Sequence, residues 1–80
     1  MSCRDDCVSQ WSLDFGINLQ RMLRIHKISQ GDLARELGTT DAMISRYIHG
    51  VSVPSVYKVC QMARIIGCDV TDLVKTEYVL

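Results

Sequence analysis

The chain has 80 residues, and its nine basic and nine acidic residues give a formal net charge of +0 at pH 7. This length indicates one domain and leaves little room for a catalytic cleft beside a core. Hydrophobic residues make up 48% of the sequence, which favours a folded protein over disorder. No apolar run approaches the ~20 residues of a membrane span, and the start lacks the basic-then-apolar order of a signal peptide. We therefore expect a cytoplasmic protein.

The charges are unevenly distributed along the chain. Residues 20–64 contain seven basic and three acidic side chains, a net +4, whereas residues 1–19 and 65–80 each carry −2. A positive middle fits a surface that faces DNA, because phosphate contacts supply most non-specific affinity. The alternative is the ordinary fluctuation of charge in any soluble domain.

The first part of the chain predicts a flexible segment over residues 1–11 and a single domain over residues 12–80. Ser12 is a candidate cap for a first helix, since its hydroxyl could accept a hydrogen bond from a backbone N–H. Apolar side chains then recur at helical spacing. This stripe consists of Phe15, Leu19, Met22, Leu23 and His26.

Two short helices are predicted next, joined by a tight turn at Gly38. Ser29 with Asp32 resembles a capping box at the start of the second helix, and Thr40 can cap the third, over about residues 41–49. Gly38 tolerates the positive φ that such a turn needs, and Gly50 ends the third helix. The inward side chains are Leu33, Ala34 and Leu37 in the second helix and Ile44, Tyr47 and Ile48 in the third. This spacing is what a DNA-reading helix-turn-helix requires.

Two more helices complete the prediction. Pro54 disfavours helix before it, Ser55 can cap the fourth helix and Gly67 can end it. The predicted stripe of the fourth helix is Val56, Val59, Cys60, Ala63 and Ile66. Asp69 with Asp72 resembles a second capping pair, which opens a short fifth helix with Val70, Leu73 and Val74 inside. The expected fold is all-α, a compact bundle of five short helices.

The chemistry-bearing residues point away from an enzyme or a metalloprotein. Neither histidine has an obvious acidic or nucleophilic neighbour by spacing, and there is no phosphate-binding glycine loop. Cys3 and Cys7 lie one helical turn apart without a matching pair of zinc ligands, so a metal site with His26 or His49 is the weaker alternative. We expect free thiols and no cofactor or metal, with Cys60 as a small core residue.

From Phe15 to Val74, the chain resembles the Cro/C1-type (lambda-repressor-like, XRE) helix-turn-helix family. The motif that carries most of the resemblance is ISQGDLARELGTTDAMISRYIHG, followed by VPS and by IIGCDVTDLV. The resemblance implies five helices in a lambda-repressor-like fold, with the helix-turn-helix in helices two and three. It also implies that helix three lies in the major groove, that the protein is a homodimer on a two-fold symmetric operator, and that it represses transcription.

The outward positions of the third helix are the candidates for reading bases. Arg46 can donate two hydrogen bonds to guanine O6 and N7, or it can contact phosphate instead. Ala42 can meet a thymine methyl or simply allow close approach, and Ser45 can bond a base or a phosphate. Asp41 either accepts a hydrogen bond from cytosine N4 or stabilises the helix N-terminus. The predicted base-reading residues are therefore Asp41, Ala42, Ser45 and Arg46.

A second group is expected to contact the DNA backbone. Gln30 takes the place of the phosphate-binding glutamine that the family resemblance implies, at the N-terminus of helix two. The other members are placed to meet the backbone by their positions around the turn and at the end of helix three. The predicted backbone contacts are Gln30, Thr39, Thr40, His49, Gly50 and Ser52.

Leu23 and Ile48 depart from the family pattern, which commonly places an arginine and a glutamate at these two positions. Both members of the pair are apolar here, and packed hydrophobic groups can replace a buried ion pair without loss of stability. We predict that Leu23 touches Ile48.

The rival function is an antitoxin or small regulator that acts mainly through protein–protein contacts. The neutral net charge and Asp41 both favour that alternative. An apolar contact patch could form from Val51, Val53, Tyr78, Val79 and Leu80, although homodimerisation or helix packing would use the same residues.

Overall fold

The structure is a computed structural model that describes residues 3–75, with side chains from residue 10 onward. Within these residues the chain forms five helices and no strand. They are α1 (Cys3–His26), α2 (Gln30–Leu37), α3 (Asp41–Ile48), α4 (Val56–Ile66) and α5 (Val70–Val74). The all-α, five-helix prediction is confirmed. None of the described helices is long and apolar enough to cross a membrane.

Helix α1 is longer than the sequence predicted. It begins at Cys3, so Ser12 lies inside the helix and is buried, and its prediction as the helix cap is wrong. Trp11 explains part of the extension, because its ring stacks on Phe15 with the centroids 5.3 Å apart and packs against the core. The domain boundary at residue 12 stays a prediction. The flexibility of residues 1–11 stays a prediction.

One hydrophobic core connects all five helices. The predicted inner faces of α2 and α3 are buried, as expected. In α1, His26 is exposed at the last helical residue, so its place in the apolar stripe is wrong. The buried core consists of Phe15, Leu19, Leu23, Leu33, Ala34, Leu37, Ile44, Tyr47, Ile48, Val59, Met62, Ala63, Ile66 and Leu73.

The stripe predicted for α4 is rotated relative to the one observed. Val56 and Cys60 are exposed, whereas Met62 is fully buried. The buried face starts at Val59 and continues through positions i+3, i+4 and i+7, which is also regular helical spacing. In α5, Val70 is exposed as well, contrary to the prediction. The sequence of α4 has apolar residues on two faces at helical spacing, and spacing alone does not tell which face packs against the core.

The thiols that the structure describes are free. Cys60 is exposed rather than in the core, and Cys68 is half-buried. Burial, followed by the nearby carboxylates of Asp72 and Asp69, raises the pKa of the Cys68 thiol. The side chains of Cys3 and Cys7 lie outside the described part. Among the described side chains, no group of three His, Cys, Asp or Glu residues could hold a metal ion.

Helices α2, α3 and α4 begin where local chemistry predicts, and α2 and α4 also end where it predicts. Ser29, Thr40 and Ser55 precede α2, α3 and α4, and each hydroxyl accepts a hydrogen bond from the backbone N–H three residues later, at 3.0–3.2 Å. Gly38 and Gly67 follow α2 and α4 in the left-handed conformation, with φ of 77° and 91°. These contacts confirm the predicted caps.

The residue that follows α1 has an unfavourable backbone conformation. Lys27 adopts φ of 58°, and the N–H of Ile28 donates to the carbonyl of Leu23 at 2.9 Å, as in a left-handed helix terminus. We expect Lys27→Gly to raise the free energy of unfolding by about 1 kcal/mol, because glycine lacks the Cβ that disfavours this conformation. Urea denaturation would measure the change.

Lys27→Ala is the matched control for this prediction. It removes the same charge and the same long side chain but keeps the Cβ. Equal stability of the glycine and alanine variants would contradict the conformational explanation.

Helix α1 crosses the C-terminal end of α3 at very short range. A Cβ built on Gly16 would lie 2.1 Å from the carbonyl oxygen of Ile48 and 2.8 Å from that of Tyr47. A Cβ on Gly50 would similarly lie 3.2 Å from the backbone N and Cα of Leu13. The end of α3 is therefore held against the backbone of α1. Leu23 and Ile48 are both buried in this shared core, and their direct contact stays a prediction.

Candidate nucleic-acid interface

The turn between α2 and α3 fixes how α3 is presented. The N–H of Gly38 donates to the carbonyl of Arg35 at 3.3 Å, and the N–H of Thr39 donates to that of Ala34 at 2.9 Å. Ala34 is buried beneath the turn, and Ile44 on α3 is fully buried. With its apolar side held by the core, α3 presents its opposite side to solvent.

The outward side of α3 brings together four of the predicted contact residues. Ala42, Ser45, Arg46 and His49 stand at i, i+3, i+4 and i+7, so they share one face of the helical turn. Ala42, Arg46 and His49 are exposed, and Ser45 is half-buried. The face is short, because α3 has 8 residues, and three of its four side chains are polar. An α-helix is an element that the major groove admits.

Arg46 is tied to the loop that follows α3. Its Nε donates to the Ser52 hydroxyl oxygen at 3.2 Å. Its carbonyl oxygen accepts from the N–H of Val51 at 2.9 Å and from the N–H of Ser52 at 3.4 Å. Because Nε is engaged, the two terminal NH₂ groups are the part of the guanidinium left to donate to a base edge or a phosphate.

His49 is oriented by the helix itself. Its Nδ1 lies 2.8 Å from the carbonyl oxygen of Ser45 and 3.3 Å from the Ser45 hydroxyl oxygen. A carbonyl oxygen can only accept, so Nδ1 carries the hydrogen and Nε2 is the free ring nitrogen. In the neutral ring, Nε2 can accept a hydrogen bond.

The residues predicted to contact the DNA backbone surround this face. Three of their backbone N–H groups already donate hydrogen bonds within the chain. The N–H of Gly50 donates to the carbonyl three residues before it, and the N–H groups of Thr39 and Ser52 also donate within the chain. Thr40 uses its hydroxyl oxygen to cap α3. Gln30 is exposed as the first residue of α2. Side-chain groups, rather than these three amides, are therefore available to phosphates.

Asp41 lies against α2 as well as at the start of α3. A Cβ placed on Gly31 would be 3.6 and 3.7 Å from the two carboxylate oxygens of Asp41, and 3.9 Å from the Ser29 hydroxyl oxygen. The carboxylate therefore lies over the first turn of α2, at the residue that follows Gln30. This contact joins residues on two helices, so no local pattern in the sequence predicts it, and only a known helix crossing would have revealed it.

The other carboxylate in the first turn of α2 is already paired. Asp32 accepts a hydrogen bond from Arg35, one turn later on the exposed side of the helix. A hydrogen bond with the Ser29 hydroxyl, and then the one from Arg35, lower the pKa of Asp32. Asp41 has no ion-pair partner among the described residues. The two acidic groups near Gln30 thus differ in how far their charge is compensated.

Comparison with known proteins gives the same architecture. The helix-turn-helix family model matches residues 19–73, more than half of the chain. The crystal structure of the hypothetical transcription factor NHTF from Neisseria is similar with a TM-score of 0.77 and 17% identity, covering 88% of this chain and 80% of that one. The solution structure of the SOS-response transcriptional repressor LexA from Eubacterium rectale has a TM-score of 0.75 and 18% identity, covering 88% and 74%. The search of curated proteins found no match.

Proposed function

Because the chain belongs to the Cro/C1-type helix-turn-helix family of DNA-binding transcriptional regulators, we propose that it is a sequence-specific repressor that reads the major groove with α3. The observation that carries this proposal is the outward face of α3, where Ala42, Ser45, Arg46 and His49 stand above a fully packed inner side. Such a regulator acts in the cytoplasm of a bacterium or on a phage genome, and it needs no enzymatic activity.

Arg46 is the principal base reader in this proposal. Its terminal NH₂ groups donate to guanine O6 and N7, while its bond to Ser52 directs the side chain. Ser45 bonds a neighbouring base edge, and Ala42 allows close approach or meets a thymine methyl. Phosphates are contacted around this centre by the side chains of Gln30, Thr39, Thr40 and Ser52, and by His49 when its ring is protonated and Nε2 can donate. Gly50 borders the same surface, but its N–H already donates to the Tyr47 carbonyl, so it allows close approach of the DNA backbone without a hydrogen bond.

Substitution of Arg46 and Gln30 separates base reading from phosphate binding. We expect Arg46→Ala to lose about 1–3 kcal/mol of discrimination at one base pair, because two hydrogen bonds to that base are removed. Gln30→Ala should weaken binding to every sequence by a similar factor, because a phosphate contact carries no base information. Selection of bound DNA from a random pool, followed by titration of single-base variants of the selected site, measures both effects.

Arg64→Ala is the matched control for the charge that Arg46→Ala removes, since Arg64 is exposed near the end of α4. It should alter general affinity only slightly and leave base preference unchanged. Equal discrimination by the wild type and Arg46→Ala would contradict the assignment of Arg46. Failure of the wild type to enrich any DNA from the pool would contradict the proposed function itself.

The proposal includes a homodimer on a two-fold symmetric operator. It is supported by a strongly exposed apolar stretch between α3 and the start of α4, where Val51, Val53, Val56 and Tyr57 are 55–81% exposed. Such a stretch is typical of a surface that contacts another protein. Tyr78, Val79 and Leu80, which were predicted to join the patch, lie outside the described residues. Mass measurement of the selected complex gives the stoichiometry.

The same apolar stretch supports the second candidate function, an antitoxin or small regulator that works through a protein partner. The two functions differ in their salt dependence. Binding to DNA should weaken steeply as salt rises, because counterions are released from the phosphates, whereas an apolar interface should not.

A further inference from the structure

The position of Asp41 bears on how tightly α2 and α3 can bind DNA. Its carboxylate oxygens approach Gly31, in the first turn of α2, and the Ser29 hydroxyl lies at the same place. Asp41 is the first residue of α3, and the N-terminal end of a helix attracts negative charge. The Asp41 side chain therefore carries a fixed negative charge from the start of α3 to the first turn of α2.

A DNA phosphate would approach the same region. The proposed phosphate contact of Gln30 lies at the first residue of α2, adjacent to Gly31. A phosphate bound there would use the positive end of α2 that the Asp41 carboxylate already faces. Two negative groups within a few ångströms repel each other, and the charge of Asp41 has no ion-pair partner in the described part of the chain.

Asp41 is less well placed as a direct base reader. The Asp41 carboxylate is directed toward α2. The outward face of α3, which is proposed to meet the bases, consists of Ala42, Ser45, Arg46 and His49. Asp32 does not share the role of Asp41, because Arg35 already compensates its charge.

We propose, building on the proposed DNA binding, that Asp41 limits the affinity of this domain for DNA of every sequence by opposing the phosphate that approaches the N-terminus of α2. Base preference is then set by Arg46 and its neighbours, and Asp41 sets the overall strength of binding.

The test is Asp41→Asn, which removes the charge and keeps the size of the side chain. We expect it to tighten binding about 3- to 10-fold at low salt, by similar factors on the selected site and on unrelated duplex DNA of equal length. The gain should shrink as salt increases, because screening weakens the repulsion. Fluorescence anisotropy with both DNAs at two salt concentrations measures these quantities, and circular dichroism checks the fold.

The control for net charge is Asp69→Asn. Asp69 caps α5, which packs against α1 and α4, and asparagine caps a helix as well as aspartate does. A gain as large as that of Asp41→Asn would show a general charge effect and overturn the proposal. Asp41→Ser provides a second neutral variant if Asp41→Asn fails to fold.

Two other results of the binding experiment would also decide whether Asp41 limits affinity. Unchanged affinity of the Asp41 variants would overturn the proposal, and so would a changed preference at one base pair, which would make Asp41 a base reader. Both outcomes leave the proposed function intact, provided that the wild type binds its selected site and Arg46→Ala loses discrimination. If the wild type binds no DNA, the proposed function fails, and the inference that rests on it fails as well.

Discussion

Gly16→Ala is expected to lower the free energy of unfolding by about 3 kcal/mol or more, which is a large part of the stability of a small domain. The added Cβ would lie 2.1 Å from the carbonyl oxygen of Ile48, 2.7 Å from its carbonyl carbon and 2.8 Å from the carbonyl oxygen of Tyr47. All three atoms belong to the backbone, so no side-chain rotation relieves the overlap. The helices α1 and α3 would have to separate, and the core between them would open.

Urea or thermal denaturation of the purified variant measures this effect. Gly31→Ala is the matched control, because its Cβ would make only ordinary contacts at 3.6 Å or more. That variant should be more stable than the wild type by about 0.5–1 kcal/mol, since alanine favours helix over glycine. A loss of less than 1 kcal/mol in Gly16→Ala would mean that α1 and α3 do not cross as closely as the structure has them.

The second large effect is expected from Asn18→Asp, which should destabilise the protein by about 3 kcal/mol at neutral pH. Asn18 is buried, and its Nδ2 donates to the carbonyl oxygen of Leu73 at 3.0 Å and to that of Lys75 at 2.7 Å. These carbonyls lie at the end of α5, where helix carbonyls lack a donor from a following turn. A carboxylate has no hydrogen to donate, so oxygen would face oxygen at both contacts.

The loss of stability caused by Asn18→Asp should depend on pH. Burial and the two carbonyl oxygens raise the pKa of the introduced carboxyl in the folded protein above the ~3.9 of an exposed aspartate. Asp14 lines the same pocket and adds to this rise, whereas Arg21 and Lys75 oppose it. A raised pKa in the folded state means that the protonated acid favours folding. The deficit is therefore smallest below the unfolded pKa and grows as pH rises through the folded pKa.

Denaturation of the wild type and the variant in parallel at several pH values isolates this effect, because their difference cancels the titration of shared groups. Asn18→Ala is the control, since it loses both hydrogen bonds without adding a charge, and its deficit should not vary with pH. If the aspartate variant were no less stable than the alanine variant at neutral pH, the two hydrogen bonds of Asn18 would not anchor α5 as described.

Much of the fold could be predicted because its signals are local. Ser29, Thr40 and Ser55 each cap a helix through a bond that spans three residues, and Gly38 supplies a positive φ within the turn itself. The inner faces of α2 and α3 follow from helical spacing alone. For the candidate site, helical spacing places Ala42, Arg46 and His49 on the exposed side of α3, where the structure has them, whereas their contacts with DNA stay predictions.

The features that could not be predicted depend on contacts between distant residues or on the choice between similar local patterns. Ser12 has the chemistry of a cap, yet Trp11 packs on Phe15 and the helix continues through both. Lys27 adopts a positive φ, a conformation that a glycine would normally signal in the sequence. The connection between α1 and α2 imposes this conformation on a lysine instead. In the sequence, Gly16 is only a residue that lowers the stability of a helix. In the structure, its missing side chain allows α1 and α3 to cross closely.

The hydrogen bond between Arg46 and Ser52 has a consequence for the thermodynamics of recognition. A free arginine loses about 1.5–2 kcal/mol of rotamer entropy when it is immobilised. Here the guanidinium is already restrained by Ser52 in the unbound protein, so part of that entropy is lost during folding rather than during binding. If Arg46 reads a base as proposed, its side chain is pre-organised for that contact, and Ser52 would contribute to affinity by restraining Arg46 as well as through any phosphate contact of its own.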